Sequence, residues 1–325
     1  MDKLSSEKIF SKTLKYVFFK MLIPIISLVV SLVSIKIISA ITLQIRKSSE
    51  NADIARAANG ELGIIGTLIW IAITVGFAFG IQFFWGYKFR AAHAAVVTDA
   101  VSVGVIPDDM KGMAKESLEY RFPTCNDYFL YSRMVKKAIA QLQKDLNTYA
   151  ENKMDNPVLG KLISFSQIFI GWALSYTYDL ILGYTFWRDG KPLYTSAADG
   201  VAIYYNCWKR ITRGVMFLAL EIIVGMSVTF VFCGAIGAAV LAPSYGALAG
   251  GLAGAAVGYF ICSAAKSCVD SNFMIKTMTP YFEEAQYAEI TEDERGTIYR
   301  TSPKYAKLYQ KSQAELAQES AKGGY

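Results

Sequence analysis

The side chains best suited to chemistry here are carboxylates and amines inside or beside long apolar runs, where an unmatched charge is costly. Glu221, Lys266 and Asp270 belong to this class. Folding the chain back about Pro243-Ser244 brings Glu221 opposite Lys266, and Asp270 lies one helical turn beyond Lys266. Such a cluster either neutralises itself as an interfacial ion pair or gates an ion or small solute. Asp179 joins these candidates if the apolar block Leu159 to Trp187 is buried in a bundle. The same block is crowded with Tyr176, Tyr178, Tyr184 and Trp187. These rings suit a cage for an organic cation, and they equally suit anchors at a bilayer surface.

Gly246, Gly250, Gly254 and Gly258 recur every fourth residue, so on a helix they form a smooth groove that another backbone can approach closely. The preceding apolar run carries its own small residues, Gly234, Ala235, Gly237, Ala238 and Ala239. The groove fits packing within that hairpin, and it also fits a homo-oligomer interface. A weaker row stands at Ala72, Gly76 and Gly80. Walker A, HExxH and GxSxG patterns are missing, and His93 is the single histidine. The chain therefore reads as a non-enzyme with no metal or cofactor, and His93 as structural. Cys125, Cys207, Cys233, Cys262 and Cys268 contain no CxxC pair and read as reduced thiols.

These residues must be positioned by membrane helices. Hydrophobic residues make up 53% of the chain and charged ones 18%, below the roughly 25% of soluble domains. The charge deficit is confined to blocks of about the 20 residues a span requires: Met21 to Ile45, Leu62 to Tyr87, Val215 to Leu241 and Gly246 to Ala265, the last two joined by the turn Ala242-Pro243-Ser244-Tyr245. Lysines precede the first block, and Lys and Arg are dense between Lys88 and Arg213 and after Lys266, whereas the turn at Pro243 has none. The first block runs past any signal-peptidase site and reads as a retained span. Positive charge on the cytoplasmic side then gives two hairpins with both termini inside.

The expected fold is an all-α polytopic integral membrane protein with two transmembrane helical hairpins, four spans or five, and a helical cytoplasmic middle region. The N-terminal hairpin covers 1–87. A cytoplasmic or interfacial helical region covers 88–212, with a re-entrant segment or fifth span at 159–187. The glycine-rich hairpin covers 213–278, and a cytoplasmic tail 279–325. The second span is expected to continue as a helix through Asp99 toward Pro107. Residues Met110 to Asn156 are expected to be helical, and Met134, Val135, Ile139, Leu142 and Leu146 make Tyr131 to Tyr149 amphipathic. That face either packs on the cytoplasmic part or lies on the membrane surface. The tail from Ser302 is expected to be a frayed helix without chemistry.

The C-terminal half resembles the choline transporter-like family over residues 156–275. The resemblance rests on Asn156-Pro157-Val158, Thr195-Ser196-Ala197-Ala198-Asp199, Asn206, Arg210, Val269-Asp270 and Phe273. It implies transport of choline or a related amine, with Asp199, Arg210 and Asp270 at family-like positions. The function expected first is therefore transport or permeation of a small solute such as a choline-like organic cation. The alternative is a non-catalytic scaffold or assembly subunit that oligomerises through the glycine-rich hairpin. The expected partners are the lipid bilayer of a plasma or inner membrane, a second copy and a small organic cation. Nucleic acid is excluded, because the basic residues flank apolar blocks and do not form one face.

Overall fold

The computed structural model describes residues 4–48, 52–152, 176–245 and 247–322; of these, only the backbone is described at 45–47, 52–65, 146–152, 209–210, 212–223, 241–245, 247–249 and 322. Among the described residues the regular structure is helical throughout. The elements are α1 (Ser6–Lys12), α2 (Leu14–Ser48), α3 (Ala52–Ile81), a π-helical turn (Gln82–Gly86), α4 (Tyr87–Ser102), α5 (Met110–Arg121) and α6 (Cys125–Asn152). They continue with α7 (176–187), α8 (Leu193–Tyr245), α9 (Ala247–Tyr287), α10 (Glu292–Thr301) and α11 (Pro303–Lys322).

Three stretches are long and apolar enough to cross a membrane: Leu14–Gln44, Gly66–Ser102 and Gly250–Tyr287. Val224–Val240 is a shorter apolar helical stretch. The expected turn at Ala242 to Tyr245 is instead the last turn of α8, which runs helical through Pro243. Residues 159–175 of the fifth apolar block, and Gly246, lie outside the described residues.

The chain divides into two compact units. Unit 1 holds Met1–Leu14, Arg90–Glu221 and Asp270–Tyr325; unit 2 holds Lys15–Phe89 and Ile222–Val269. Helices α4, α8 and α9 each contribute residues to both.

Unit 2 carries its apolar side chains outward. Val29, Phe79, Phe84, Val228, Val231, Phe232 and Val240 are each more than half exposed. Small and hydroxyl residues occupy its helix contacts instead. Ser27, Ser31 and Ser34 lie buried on one face of α2. There the Trp70 indole of α3 donates to the Ser31 carbonyl (2.9 Å) and Thr74 Oγ1 to Ser31 Oγ (3.2 Å). Such bonds hold helices together where lipid offers no hydrophobic drive. The glycine row serves the α8–α9 contact. A Cβ at Gly254 would lie 2.2 Å from the Cys233 carbonyl oxygen and 2.6 Å from Gly237 Cα, so the two backbones touch and only glycine fits. Gly258 is packed likewise, 2.8 Å from Cys233 Cβ.

Unit 1 is built differently, with helix ends closed by side chains. Asp109 caps α5 at the Gly112 amide, and Thr124 with Asp127 closes α6 where Pro123 breaks the chain. Thr291 and Glu294 form a capping box on α10. The core holds Tyr131, Tyr178, Tyr204, Tyr281 and Tyr305, each fully buried. Tyr131 Oη pairs with Thr185 Oγ1 (2.6 Å), Gln143 Nε2 donates to Tyr204 Oη (2.9 Å), and Tyr281 Oη donates to the Gly200 carbonyl (2.9 Å).

The amphipathic face of α6 faces this core. Tyr131, Val135, Ala138, Ile139 and Leu142 are all buried, so among the described side chains this face is turned to the core, while the Leu146 side chain lies outside the described residues. The tail differs from its expected frayed state. Tyr305, Leu308 and Ser312 of α11 are buried. Gln141 Oε1 of α6 accepts from the Lys304 amide (2.8 Å), and Glu315 Oε2 accepts from the Tyr194 amide at the start of α8 (2.7 Å). A polar sequence conceals these anchors because its buried residues are few and spaced by about a turn.

Candidate functional site

The candidate carboxylates whose side chains are described, Asp179, Asp199 and Asp270, lie in three groups within unit 1, whereas Lys266 lies in unit 2. In the first, Arg90 of α4 grips Asp179 of α7 with both arms, Nε to Oδ1 at 2.7 Å and Nη2 to Oδ2 at 2.9 Å. Asp179 is 6% exposed, and the paired geometry is what makes its burial tolerable. The ring of Tyr178, adjacent in α7, receives two cations: the Arg90 guanidinium lies 5.5 Å from its centroid and Lys136 Nζ of α6 4.8 Å. Burial, followed by repulsion from Arg90, pushes the Lys136 ammonium down to about 8, against a smaller upward pull from Asp179.

The second group surrounds Asp199 on the first turns of α8, 3% exposed. Its Oδ2 accepts from Lys191 Nζ and its Oδ1 from Arg295 Nη2 of α10, both at 2.9 Å. Arg295 also meets Glu292 (2.5 Å), and Tyr309 Oη of α11 donates to the same carboxylate (3.2 Å). In the third group, Asp270 accepts a hydrogen bond from Tyr176, whose ring packs edge-on against Phe273 at 4.9 Å. Asp270 is thus drawn to a tyrosine of α7. The side chains of Glu221 and Arg210 lie outside the described residues, and so does the expected Glu221–Lys266 pairing.

The remaining rings are closed by the chain itself. Tyr184 stacks edge-on with Trp187 (5.7 Å) and Tyr281 (6.4 Å), and the Arg188 guanidinium covers Trp187 at 4.1 Å. His93 is fully buried in α4. Among the described residues no three His, Cys, Asp or Glu side chains come together as metal ligands.

A cleft of about 400 Å³ lies where α5, α6, α8 and α11 meet, lined by Arg121, Asp127, Leu130, Tyr194, Lys311 and Glu315 among others. Its charges are committed to helix ends and rings. Arg121 donates to the carbonyls of Lys191 (2.7 Å) and Arg188 after α7, Asp127 caps α6, Glu315 caps α8, and Lys311 Nζ sits 4.0 Å over Tyr194. Burial holds the Glu315 carboxyl above its usual range, with the Tyr194 amide opposing.

Sequence reasoning missed the basic halves of these groups: Arg90, Lys136, Lys191 and Arg295. Arg90 had one readable signal, since it is the last charge before the uncharged run Ala91 to Thr98, as residues packed into a core are. Arg295 looked like one of several surface charges in Glu292-Asp293-Glu294-Arg295.

Comparisons with family models, with curated proteins and with solved structures returned no match to this chain. Fold and site alone therefore define the class. Among the described residues the chain is all-helical, with three helices long and apolar enough to cross a membrane and a tyrosine-rich helical unit whose buried carboxylates are matched by its own donors.

Proposed function

We propose that the chain is a polytopic integral membrane protein that serves as a non-catalytic assembly subunit. Its four spans are Leu14–Gln44, the first part of Gly66–Ser102, the stretch around Val224–Val240 and the first part of Gly250–Tyr287, with both termini cytoplasmic. One observation carries the assembly reading: among the described residues, the groups a cation path needs are already engaged within the chain. Arg90 holds both oxygens of Asp179, Tyr176 holds Asp270, and the Tyr178 ring has its cations in place. In unit 2 the glycine groove receives α8 of the same chain, so assembly would use other surfaces.

The transport reading keeps one observation of its own. Ser27, Ser31 and Ser34 form a buried hydroxyl row on α2, with Thr74 of α3 joined to Ser31, and buried polar groups in a membrane helix also line paths for polar solutes. Uptake of choline and of a panel of inorganic cations and anions into proteoliposomes separates the two. The assembly reading expects no uptake above protein-free vesicles and a mass above the monomer in mild detergent. Saturable uptake of any solute, abolished by Ser31→Leu, would overturn it. Labelling of a cysteine placed at Ser320 from outside intact cells would overturn the four-span topology.

A further inference from the structure

A buried cation needs a counter-charge, because it gives up its hydration shell. Arg90, Lys191 and Arg295 each meet a carboxylate. The most buried lysine or arginine among the described residues is Arg121 of α5, 7% exposed, and no carboxylate there lies within ion-pair distance of it. Its guanidinium spends two of five donors on the Lys191 and Arg188 carbonyls, and its Nε is buried without a partner. Burial draws the group below its ordinary value, against smaller pulls from Tyr120, Asp189, Tyr131 and Glu315.

Arg121 lines the cleft of about 400 Å³, whose residues all belong to unit 1. The second cation of its wall, Lys311 of α11, has the Tyr194 ring as its described partner, 4.0 Å away. The two acids of the wall are held by neutral donors. Asp127 Oδ2 accepts from the Thr124 amide (3.0 Å) and hydroxyl (2.7 Å), and Glu315 Oε2 from the Tyr194 amide (2.7 Å). Two cations thus share the cleft with no ion pair among the described residues. Part of the wall is apolar, with Pro123, Leu193 and Leu130, which is 47% exposed.

We propose that this cleft binds a small organic monocarboxylate, its carboxylate held by Arg121 and Lys311 and its apolar body laid along Leu130 and Leu193. A planar guanidinium suits a carboxylate, and the cleft has the size of small-molecule sites. Asp127 and Glu315 in the same wall limit the ligand to one negative charge, which disfavours phosphate. The proposal stands apart from the membrane and assembly readings, since unit 1 alone supplies the wall.

The test titrates 4-phenylbutyrate into the full chain in a neutral detergent by calorimetry, with protein-free micelles giving the partition background. Saturable binding is expected, about ten-fold or more tighter than that of 4-phenylbutyramide or 4-phenylbutylammonium, which keep the body and lose or reverse the charge. Lys311→Gln should weaken it about ten-fold. Ala314→Trp, at an exposed position of the wall, should abolish it by filling the cleft. Lys307→Gln, exposed one turn before Lys311 and outside the wall, should change nothing. The comparison of ligands needs no variant, so it decides the question even where a substitution harms the fold. Absence of saturable binding, equal binding of the amide or the amine, or tighter binding of inorganic phosphate would overturn the proposal. So would an unchanged affinity in both Lys311→Gln and Ala314→Trp.

Discussion

Unit 1 buries five whole tyrosines and a set of carboxylates, while unit 2 buries glycine, alanine and serine and turns valine and phenylalanine outward. One chain, often one continuous helix, changes regime within a few residues. In α9, Tyr259 and Ile261 are half exposed, whereas Met274, Ile275, Met278 and Phe282 are buried. In α8, Tyr204 is buried and Val228 exposed. The membrane reading proposed above expects this difference. In water the apolar side chains drive collapse, and polar atoms must find partners inside. In lipid an outward valine is at no disadvantage, so helices are held by close backbone approach and by hydroxyl bonds.

The largest effect that would break this comparison is expected from Gly254→Leu. Its Cβ alone would overlap the Cys233 carbonyl and Gly237, so the α8–α9 contact must open. A loss above about 3 kcal/mol is expected, read as loss of a monodisperse, thermally cooperative protein in detergent. Gly76→Leu on α3 meets nothing within 4 Å and should leave the melting temperature unchanged. Equal damage from both would refute glycine packing as the organising device of unit 2.

Next in size, Asp179→Asn leaves the Arg90 guanidinium without its carboxylate. The Arg90 side chain keeps 24% exposure, which moderates the penalty to about 2–3 kcal/mol. Thermal unfolding followed by tyrosine fluorescence should report it, and a shift under a degree would remove the pair from the stability of unit 1.

The pH dependence is smaller. Lys136 in the folded chain titrates near 8, below its ordinary 10.5. Between those values the unfolded chain binds more protons than the folded one, so Lys136 makes stability rise with pH across that window. The difference in melting temperature, wild type minus Lys136→Met, should therefore climb from pH 8 to pH 10. A flat difference would mean that the ammonium is better solvated than its position on Tyr178 implies. The smallest effect is expected from Glu315→Gln, which weakens one cap by about 1 kcal/mol. It should speed amide exchange at Tyr194 and along α11 while leaving α6 protected.

Much of unit 2 was legible in the sequence. The uncharged run Leu62 to Tyr87 and the four-residue glycine spacing are local patterns, and a helix turns such spacing into a face. The helices of the middle region and the outward continuation of the second span were legible for the same reason. The paired groups of unit 1 were legible only by half. Asp179, Asp199 and Asp270 attracted notice as carboxylates in apolar or motif-like surroundings. Their partners lie far away in sequence: Arg90 is 89 residues from Asp179, Arg295 is 96 from Asp199, and Tyr176 is 94 from Asp270. The tail misled for a related reason, since Gln141 and Glu315 cap helix ends to which no local spacing connects them.

The sequence by itself thus determined which segments are helical and which are apolar enough for a bilayer, because both depend on neighbours within one or two turns. Tertiary structure alone decided that Asp179, Asp199 and Asp270 are matched from within the chain. It also decided that the tyrosines read as a cage are a packed core, and that the amphipathic α6 faces that core. Charge pairing and burial depend on which helices meet, and that is settled by the free energy of the whole fold, not by any local repeat.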